Sequence, residues 1–374
     1  MDLINRIVIL HEYGEPSHYT GLVRYAELNR IPVEFRDFNF FKKILISIRR
    51  RNYMGILKAF EDLYWMLKML FFPRLLRGSY CIVGIAPFDI MIIPMRRILS
   101  YSKYIYHTSW LYWDGADHPK KTYFFSTFIR RSWRLFLKKA SSVATVTDDA
   151  RKSLNVNYPE TRGKTNVVYH SFNDQIFRYK GNKNKRLRVT YLGRMEKYKG
   201  INTIIRLVGE RPNIDFCFIG SGQEVSKIKE LSYEFDNLEY AGYLKNKIEI
   251  ADYLNATDVL IMPSIKIDGW EELFGIALIE AMACGCVPIA TKHKGPVTIL
   301  GNTVFKTHLF DEDCIEKGAI EIFDYLEDNH DYLTKLKEEA VKISRQYNME
   351  AISKLWEGIL SNERRALLNK SNFC

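Results

Sequence analysis

Cysteine and proline are both scarce in this sequence, with six cysteines and eleven prolines among 374 residues. The cysteines, at positions 81, 217, 284, 286, 314 and 374, form no CxxC pair and no Cys/His pattern of the kind that binds zinc. Proline- and serine-rich linkers, low-complexity tracts and internal repeats are also missing. These absences disfavour a disulfide-stapled or zinc-binding protein and predict reduced, buried thiols in a cytoplasmic protein.

Long apolar runs are absent as well. No stretch approaches the roughly eighteen apolar residues of a membrane-spanning helix, so none is predicted. The start of the sequence contains Asp2, and the apolar run after it covers only Ile7 to Leu10, so no cleaved signal peptide is expected. The fingerprint G-x-G-x-x-G is missing too, because after "IGSG" its third glycine would fall at Val225. A nicotinamide-dependent oxidoreductase is therefore disfavoured.

Acidic residues are few in the first half of the chain. Residues 1–180 hold 29 Lys and Arg against 15 Asp and Glu, whereas residues 181–374 hold 26 against 29, which gives the net charge of +11. A basic half joined to a nearly neutral half predicts that the first half faces something anionic. Nucleic acid is not an expected partner.

Short apolar runs alternate with helical patterns throughout the chain. The first half contains "RIVILHEYG", "SYCIVGIA" and "KYIYHTSW", and the same alternation restarts after "RYKGNKNKRL" with "RVTYLG", "DFCFIG" and "DVLIMPS". Such alternation predicts an α/β protein with mostly parallel sheets. We expect doubly wound domains at 1–177 and 187–350, a linker at 178–186, and a helix at 351–374 that packs back on the first domain. Ligands are expected at the carboxyl ends of the strands, in a cleft between the domains.

A glycine-containing loop, "YLGRMEKYKG", follows the first predicted strand of the second half. Gly193 permits a tight turn, and Arg194 and Lys199 flank the start of the next helix, where free N–H groups already favour an anion. A guanidinium and an ammonium group together suit a diphosphate. The alternative is a basic turn that is merely solvated.

The stretch "EELFGIALIEAMACGC" carries two glutamates in an apolar context. We expect a helix from Gly275 to Ala283, closed at Gly285. Glu280 would lie on an apolar face of that helix, where a buried carboxylate needs a partner, or else at an exposed edge. Glu272 lies just before the free N–H groups at the start of the helix. Two carboxylates on either side of an anion site match the shape of a nucleotide sugar, with its ribose, diphosphate and hexose.

These motifs, together with "IGSGQE" and "AGYL", resemble family 4 of the retaining glycosyltransferases, a group 1 family with the GT-B fold of two Rossmann-like domains. The resemblance implies that Arg194 and Lys199 bind the donor diphosphate, and that Glu280 binds the ribose hydroxyls. It also implies that Glu272 and the backbone of 274–276 bind the transferred sugar. Gly220, Gly222 and Gly242 would lie near the base. The implied donor-binding residues are Gly21, Arg194, Lys199, Gly220, Gly222, Gly242, Glu272, Phe274, Gly275, Ile276 and Glu280.

In the first domain the resemblance rests on two shorter matches. The stretch "PSHYTGL" looks like the first glycine loop of the family, with Gly21 near the phosphates, and "YHTSW" looks like the strand end that supplies an active-site histidine, His107. The implied catalytic residues are then His107, Arg194, Lys199 and Glu272. By its position alone, a histidine at a strand end is more often structural, so a structural role for His107 is the alternative.

The implied reaction moves a sugar from a nucleoside diphosphate, with UDP favoured and GDP possible, to a hydroxyl of a glycan or glycolipid, with retention of configuration. The pathway implied is the assembly of surface polysaccharide or lipid-linked glycan. Neither a metal nor another cofactor is expected, since helix capping accounts for the acidic runs at 148–149 and 311–313. The alternatives are another GT-B enzyme, such as a sugar-nucleotide epimerase or a phosphorylase, and a non-catalytic scaffold.

Residues 40–80 combine basic charge with apolar residues at helical spacing. The segment has nine basic residues, including Arg49, Arg50 and Arg51, against only Glu61 and Asp62. Two core-packing helices with a solvated face would explain it, but such faces usually mix both signs. Trp65, Phe71 and Phe72 would also suit the headgroup boundary of a bilayer. We therefore predict peripheral binding to an anionic membrane, at the inner face of the cytoplasmic membrane.

Overall fold

The structure, a computed structural model, describes residues 4–12, 14–49, 51–115, 126–181 and 184–371. The chain forms two compact units. The first holds residues 1–170 together with 352–374, and the second holds residues 171–351. The segment expected to be a linker belongs to the second unit, where the Lys180 N–H donates to the Asn255 side chain at 2.8 Å.

Six parallel strands form the sheet of the first unit. They are β1 (Arg6–His11), β2 (Val33–Asp37), β3 (Ser79–Gly84), β4 (Lys103–Thr108), β5 (Ser142–Thr145) and β6 (Thr165–Val167). Their order across the sheet is β2-β1-β3-β4-β5-β6. Every residue of β3 is buried, and β1 and β4 are buried after their first residue. Strands buried on both faces explain why the sequence shows continuous apolar runs here rather than alternation.

Six parallel strands also form the sheet of the second unit. They are β7 (Arg188–Leu192), β8 (Asp215–Ile219), β9 (Leu238–Gly242), β10 (Val259–Met262), β11 (Val287–Thr291) and β12 (Leu309–Phe310). Their order is β12-β11-β10-β7-β8-β9. The chain winds outward from β7 in one direction and then returns to β10 to wind in the other.

Helices connect the strands in both units, and the last three helices follow β12. They are α1 (Thr20–Leu28), α2 (Phe40–Arg49), α3 (Tyr53–Phe71), α4 (Ile92–Ile98), α5 (Ser126–Lys139), α6 (Asp148–Asn157), α7 (Ile201–Glu210), α8 (Val225–Glu234), α9 (Lys247–Asn255), α10 (Ile276–Ala283), α11 (Lys294–Leu300), α12 (Ile315–Asp328), α13 (His330–Ser344) and α14 (Met349–Ser371). Within the described ranges, none of the helices has both the length and the apolar character that a membrane span requires.

The core of the first unit contains residues from both of its chain segments. Ile352, Trp356 and Leu360 of α14 are buried in one cluster with Ile7 of β1 and Leu22 of α1. Beside this cluster, Gly21 in the first turn of α1 lies close to Ile352. Burying a side chain as large as that of Trp356 contributes on the order of 2–3 kcal/mol, so α14 is part of the stability of this unit.

Each sheet has one point where the winding direction reverses. In the first sheet it lies between β1 and β3, and in the second between β7 and β10. Loops that follow such a pair of strands diverge to opposite faces and leave a crevice at the carboxyl edge of the sheet. The two crevices are therefore bordered by the residues that follow β1 and β3, and by those that follow β7 and β10.

Candidate active site

The loops after β7 and β8 run side by side in the second unit. The Met195 N–H donates to the Ser221 carbonyl at 2.9 Å, and the Gly193 N–H to the Ile219 carbonyl at 3.0 Å. A Cβ atom at Gly220, where φ is +146°, would lie 1.9 Å from the Gly193 carbonyl oxygen. Two loops this close need glycine, and they leave backbone rather than side chains at the carboxyl edge of the sheet.

Gly222 and Gly242 extend the same arrangement. A Cβ atom at Gly222 would lie 2.3 Å from the Met195 carbonyl oxygen. Gly242 ends β9 with φ at +87°, and its carbonyl accepts a hydrogen bond of 2.9 Å from the Gly220 N–H. The structure thus brings together the glycines that the sequence assigned to the base site. Their contact with a base stays a prediction.

Lys199 lies in the crevice of the second sheet. It ends a 3-10 turn at Lys197–Lys199, and Gly200 follows with φ at +74°, so close to Pro263 that a Cβ atom would clash with its carbonyl oxygen. This contact fixes the turn after β7 against the loop after β10. As a result, the Lys199 Nζ atom lies 2.5 Å from Glu272 Oε2 and 4.4 Å from the centroid of the Trp270 ring. Lys199 and Glu272 thus form an ion pair, which the sequence analysis did not predict.

Arg194 is exposed at the rim of the same crevice. Its guanidinium carbon lies 5.8 Å from the centroid of the Tyr198 ring, and its backbone carbonyl accepts a hydrogen bond of 2.6 Å from the Tyr191 hydroxyl. The side chain therefore rests on an aromatic face while its N–H groups remain able to bind an anion. The solvated-turn alternative describes Arg194 better than Lys199, which is largely buried.

The helix α10 begins and ends where the sequence predicted. Gly275 precedes it with φ at +97°, and Gly285 follows it with φ at +88°. Phe274 is buried against Tyr347, with ring centroids 5.8 Å apart, and Ile276 is the first helical residue. The free N–H groups of the first turn of α10 therefore follow directly on the loop that carries Glu272.

A histidine that sequence reasoning missed holds this loop in place. The Glu272 N–H donates to Nδ1 of His293 at 3.1 Å, so the other ring nitrogen, Nε2, carries the proton and donates to Glu312 at 3.0 Å. Glu312 belongs to the acidic run at 311–313, so capping does not account for that residue. The Gly295 N–H adds a bond of 2.9 Å to the Glu272 carbonyl. Only the tertiary structure reveals this support.

Glu280 is buried, so the exposed-edge alternative for it is wrong. Its side chain is 5% exposed, and its Oε1 atom lies 2.8 Å from Nζ of Lys247, the first residue of α9. Burial raises the pKa of the Glu280 carboxyl, and the charge of Lys247 opposes that shift. Lys247 also lies 5.5 Å from the centroid of the Phe177 ring. It is a second site residue that the sequence gave no reason to select.

We expect Lys247→Met to destabilise the protein more at pH 8 than at pH 5. Without the ammonium group, the pKa of Glu280 rises further above 4.5 in the folded protein but stays ordinary in the unfolded chain. Between the unfolded and the folded pKa of Glu280, the folded variant binds a proton that the unfolded chain does not. The unfolding free energy of the variant therefore falls, relative to the parent, as the pH rises between these two pKa values. Urea unfolding at both pH values measures this difference. Lys245→Met removes an exposed charge nearby and should show no such trend; an equal loss at both pH values would refute the coupling.

Four histidines meet at the crevice of the first sheet. They are His11 at the end of β1, His18, His107 in β4, and His170. The ring centroids of His18 and His170 are 4.3 Å apart, and those of His107 and His170 are 5.6 Å apart. Together with Glu12, Gly84 and Trp110 they line a pocket of about 240 Å³. Of these four, the sequence analysis selected only His107, because the family resemblance points to the strand end "YHTSW".

His107 is held by Tyr19. Its Nδ1 atom lies 2.9 Å from the Tyr19 hydroxyl, and both side chains are buried. Nε2 of His107 is buried and has no hydrogen-bond partner among the described residues. Burial lowers the pKa of all four histidines, to about 4 for His11 and about 3 for His170. The pocket is therefore lined by neutral imidazoles at neutral pH, and no metal-binding group of three or more such residues was found among the described residues.

Gly21 does not lie in a loop. It is the second residue of α1, because a 3-10 turn at Ser17–Tyr19 leads directly into that helix. A Cβ atom there would lie 2.7 Å from Cβ of Ile352, so glycine is needed for helix packing. The expected glycine loop is thus corrected to a helix start, and phosphate binding by Gly21 stays a prediction.

Comparison with known proteins places these residues in a family context. Residues 172–343, a little under half of the chain, match the family model of glycosyl transferases group 1. An uncharacterized glycosyltransferase of Haemophilus influenzae is 24% identical over 45% of this chain and 47% of its own length. A probable sucrose-phosphate synthase of Thermosipho melanesiensis is 25% identical over 67% and 60%. The chain thus spans only about half of these relatives.

A solved structure shows the same fold. Anabaena HepE, crystallised with UDP and glucose, superposes with a TM-score of 0.62 at 16% identity, covering 95% of this chain and 99% of that one. The predicted fold class, GT-B with two Rossmann-like doubly wound domains, is confirmed in its α/β architecture and parallel sheets. At this identity the likeness concerns the fold alone.

Proposed function

We propose that the chain transfers a sugar from a nucleoside-diphosphate sugar to an acceptor hydroxyl, with retention of configuration. The match of residues 172–343 to the family model of glycosyl transferases group 1 supports this proposal. The observation that carries the proposal is the pairing of Lys199 with Glu272 at the winding reversal of the second sheet, directly before α10. The UDP and glucose bound by HepE support a UDP-sugar donor, with GDP as the second candidate.

The main barrier in this reaction is departure of the diphosphate. Lys199, Arg194 and the free N–H groups at the start of α10 would stabilise the charge that develops on the leaving oxygen. The bond between the anomeric carbon and the phosphate oxygen breaks, a bond to the acceptor oxygen forms, and the hydroxyl proton passes to the departing diphosphate. The positive charge that stabilises this step would thus come from side chains and backbone N–H groups.

The remaining predicted residues would orient the two substrates. Glu280, paired with Lys247, would accept hydrogen bonds from the ribose hydroxyls, and Glu272 would do so from the transferred sugar. In the first unit, His107 would offer a sugar hydroxyl its Nε2 atom, which has no hydrogen-bond partner among the described residues. These roles rest on the resemblance together with the observed placement of each residue.

A thermal-shift screen with UDP-, GDP- and ADP-sugars tests the proposal. A donor at a hundred times its dissociation constant should stabilise the chain by about 2.7 kcal/mol. Product analysis then separates the alternatives: slow donor hydrolysis without acceptor supports a transferase, whereas an epimerised donor would support an epimerase. Absence of stabilisation by every nucleotide sugar would favour a scaffold and contradict the proposal.

The acceptor proposed here is a glycan or glycolipid at the inner face of the membrane. The surface that supports it consists of α2 and α3. Exposed apolar side chains recur along α3 at spacings of four and three residues; they are Tyr53, Leu57, Phe60, Tyr64, Leu67 and Phe71. This stripe follows the contact pattern of an amphipathic helix, yet it faces solvent. Trp65, expected at the headgroup boundary, is instead buried, with Arg36 5.7 Å from its ring centroid.

Charge favours a bilayer over a second protein copy as the partner of this stripe. Both acids of α3 are engaged by Arg36, since Glu61 lies 2.7 Å and Asp62 3.6 Å from its guanidinium. The exposed basic residues around the stripe include Arg49, Arg51, Lys58 and Lys68; Arg50 lies outside the described residues. Each basic residue near an anionic leaflet contributes about 1 kcal/mol, so a few suffice for reversible binding.

We expect liposome sedimentation to depend on anionic lipid and to weaken with added salt. Arg49→Glu combined with Arg51→Glu should abolish most binding, because it reverses charge at the stripe. Lys138→Glu combined with Lys139→Glu makes the same charge change on α5 and should leave most binding intact. Equal binding to neutral vesicles, or none to anionic vesicles at low salt, would contradict the prediction.

A further inference from the structure

A second pocket lies in the first unit beside the histidine pocket. It has a volume of about 630 Å³ and is lined by Arg130, Arg131 and Arg134 of α5. The two pockets are bordered by the same two loops. In one loop, Pro87 lines the histidine pocket and Phe88 lines this one. In the other loop, Trp110 lines the histidine pocket and Trp113 lines this one. We call it the arginine pocket.

Aromatic rings position two of the three guanidinium groups. The guanidinium carbon of Arg130 lies 5.3 Å from the centroid of the Phe88 ring, and that of Arg134 lies 5.9 Å from the centroid of the Tyr158 ring. Both rings are buried, so they support the guanidinium groups and would not themselves contact a ligand. A guanidinium near a ring face can still direct its in-plane N–H groups elsewhere. Such preorganisation lowers the entropy cost of binding an oxyanion.

Basic side chains outnumber acidic ones among the described residues that line this pocket. Asp114 is the one acidic side chain among the lining residues that the structure describes, and Glu160 lies 3.7 Å from Arg134. Arg130 and Arg134 are four residues apart on one helix, a spacing at which like charges repel. The three arginines thus bring guanidinium groups to one pocket, and such groups bind oxyanions through charge-assisted hydrogen bonds.

The wall of the pocket contains a strained residue. Phe88 has φ at +61°, a conformation that bulky residues rarely adopt, and its ring lies 5.9 Å from that of the buried Trp133. Strain of this kind persists where surrounding packing enforces it, often at binding sites. Here it holds the ring on which Arg130 rests.

We propose that the arginine pocket binds an oxyanion of the acceptor, a phosphate or a carboxylate, while a neighbouring hydroxyl of the same acceptor reaches the histidine pocket. This inference rests on the proposed function, because it assigns the acceptor to the first unit. The neutral imidazoles of one pocket suit hydroxyl groups, and the guanidinium groups of the other suit an anion. The acceptor class is therefore an anionic sugar or sugar phosphate.

Calorimetry with inorganic pyrophosphate tests the site. Because the donor site also attracts a diphosphate, we expect two binding events in the parent protein. Arg131→Gln and Arg130→Gln should each weaken one of them at least about tenfold, as expected for a lost charge-assisted hydrogen bond. Lys199→Ala should weaken the other. Lys139→Gln, which removes a charge from the same helix outside the pocket, should change neither.

Two further results separate this inference from the proposed function. If Lys199→Ala removes all pyrophosphate binding and the arginine variants remove none, the pocket proposal is overturned while the donor site stands. If only the arginine variants lose binding, the donor site fails and the pocket stands. Glucose 6-phosphate, glucuronate and glucose then identify the oxyanion: binding of either anion that depends on Arg131 supports the proposal, and equal binding of neutral glucose refutes it.

Discussion

Lys199→Ala is expected to lower kcat/KM for the nucleotide-sugar donor by about 30- to 1,000-fold, which corresponds to about 2–4 kcal/mol of transition-state stabilisation. The ammonium group lies in the crevice of the second sheet, where it is largely shielded from water, 2.5 Å from Glu272. Its loss removes the charge that faces the departing diphosphate and also leaves the Glu272 carboxylate without that partner. Initial rates with a UDP-sugar measure the effect.

The matched control is Lys197→Ala. Lys197 is exposed on the same 3-10 turn, so this variant removes an equal charge two residues away without touching Glu272. It should keep near-normal turnover. Arg194→Ala should cost a comparable part of the transition-state stabilisation, since the diphosphate would meet both groups. Near-normal turnover of Lys199→Ala, in protein whose melting is unchanged, would show that the diphosphate does not bind there.

Acidification from pH 7.5 to pH 5 is expected to destabilise the first unit by about 2 kcal/mol for each of His11 and His170, with further losses from His18 and His107. Burial holds the pKa of His11 at about 4 and that of His170 at about 3. The unfolded chain takes up protons below pH 6.5, whereas the folded histidines do not. Stability is therefore full above pH 6.5 and falls as the pH decreases toward the folded pKa values.

Urea unfolding between pH 5 and 7.5 measures this loss. The nearby groups that bear on the titration are the other histidines, together with Tyr19 and Glu12. His11→Asn should reduce the slope of unfolding free energy against pH, because one titrating group is removed. His330→Asn, at an exposed position in the second unit, should leave the slope unchanged. A flat profile over this range would mean that the histidines are charged or exposed in the folded protein.

The sequence predicted local features well and tertiary partners poorly. The start of α10 at Gly275 and its end before Gly285 followed from glycine positions alone, and the burial of Glu280 followed from the apolar neighbours on its helix face. Its partner Lys247 could not be selected, because that residue begins a helix after β9 and resembles any exposed lysine. Contacts between distant loops depend on strand order, which local patterns do not determine.

The first domain illustrates the same limit. Its strands were recognisable, but His107 in β4 and His170 after β6 come together only in the folded sheet, where their ring centroids are 5.6 Å apart. Gly21 was assigned to a loop because "PSHYTGL" resembles the first glycine loop of the family, whereas it allows α1 to approach Ile352. Trp65 was assigned to a surface from its position in a basic segment, yet Arg36 covers its ring.

The contribution of α14 to the core of the first unit affects the order in which the protein can fold during synthesis. Residues 171–351 form the second unit from one continuous segment, so this unit can fold as soon as it leaves the ribosome. The first unit cannot complete its core until Ile352, Trp356 and Leu360 have been synthesised. Its apolar surface therefore stays uncovered while the whole second unit is translated. During that interval the nascent chain is exposed to aggregation, and it presents the surface that a chaperone would recognise.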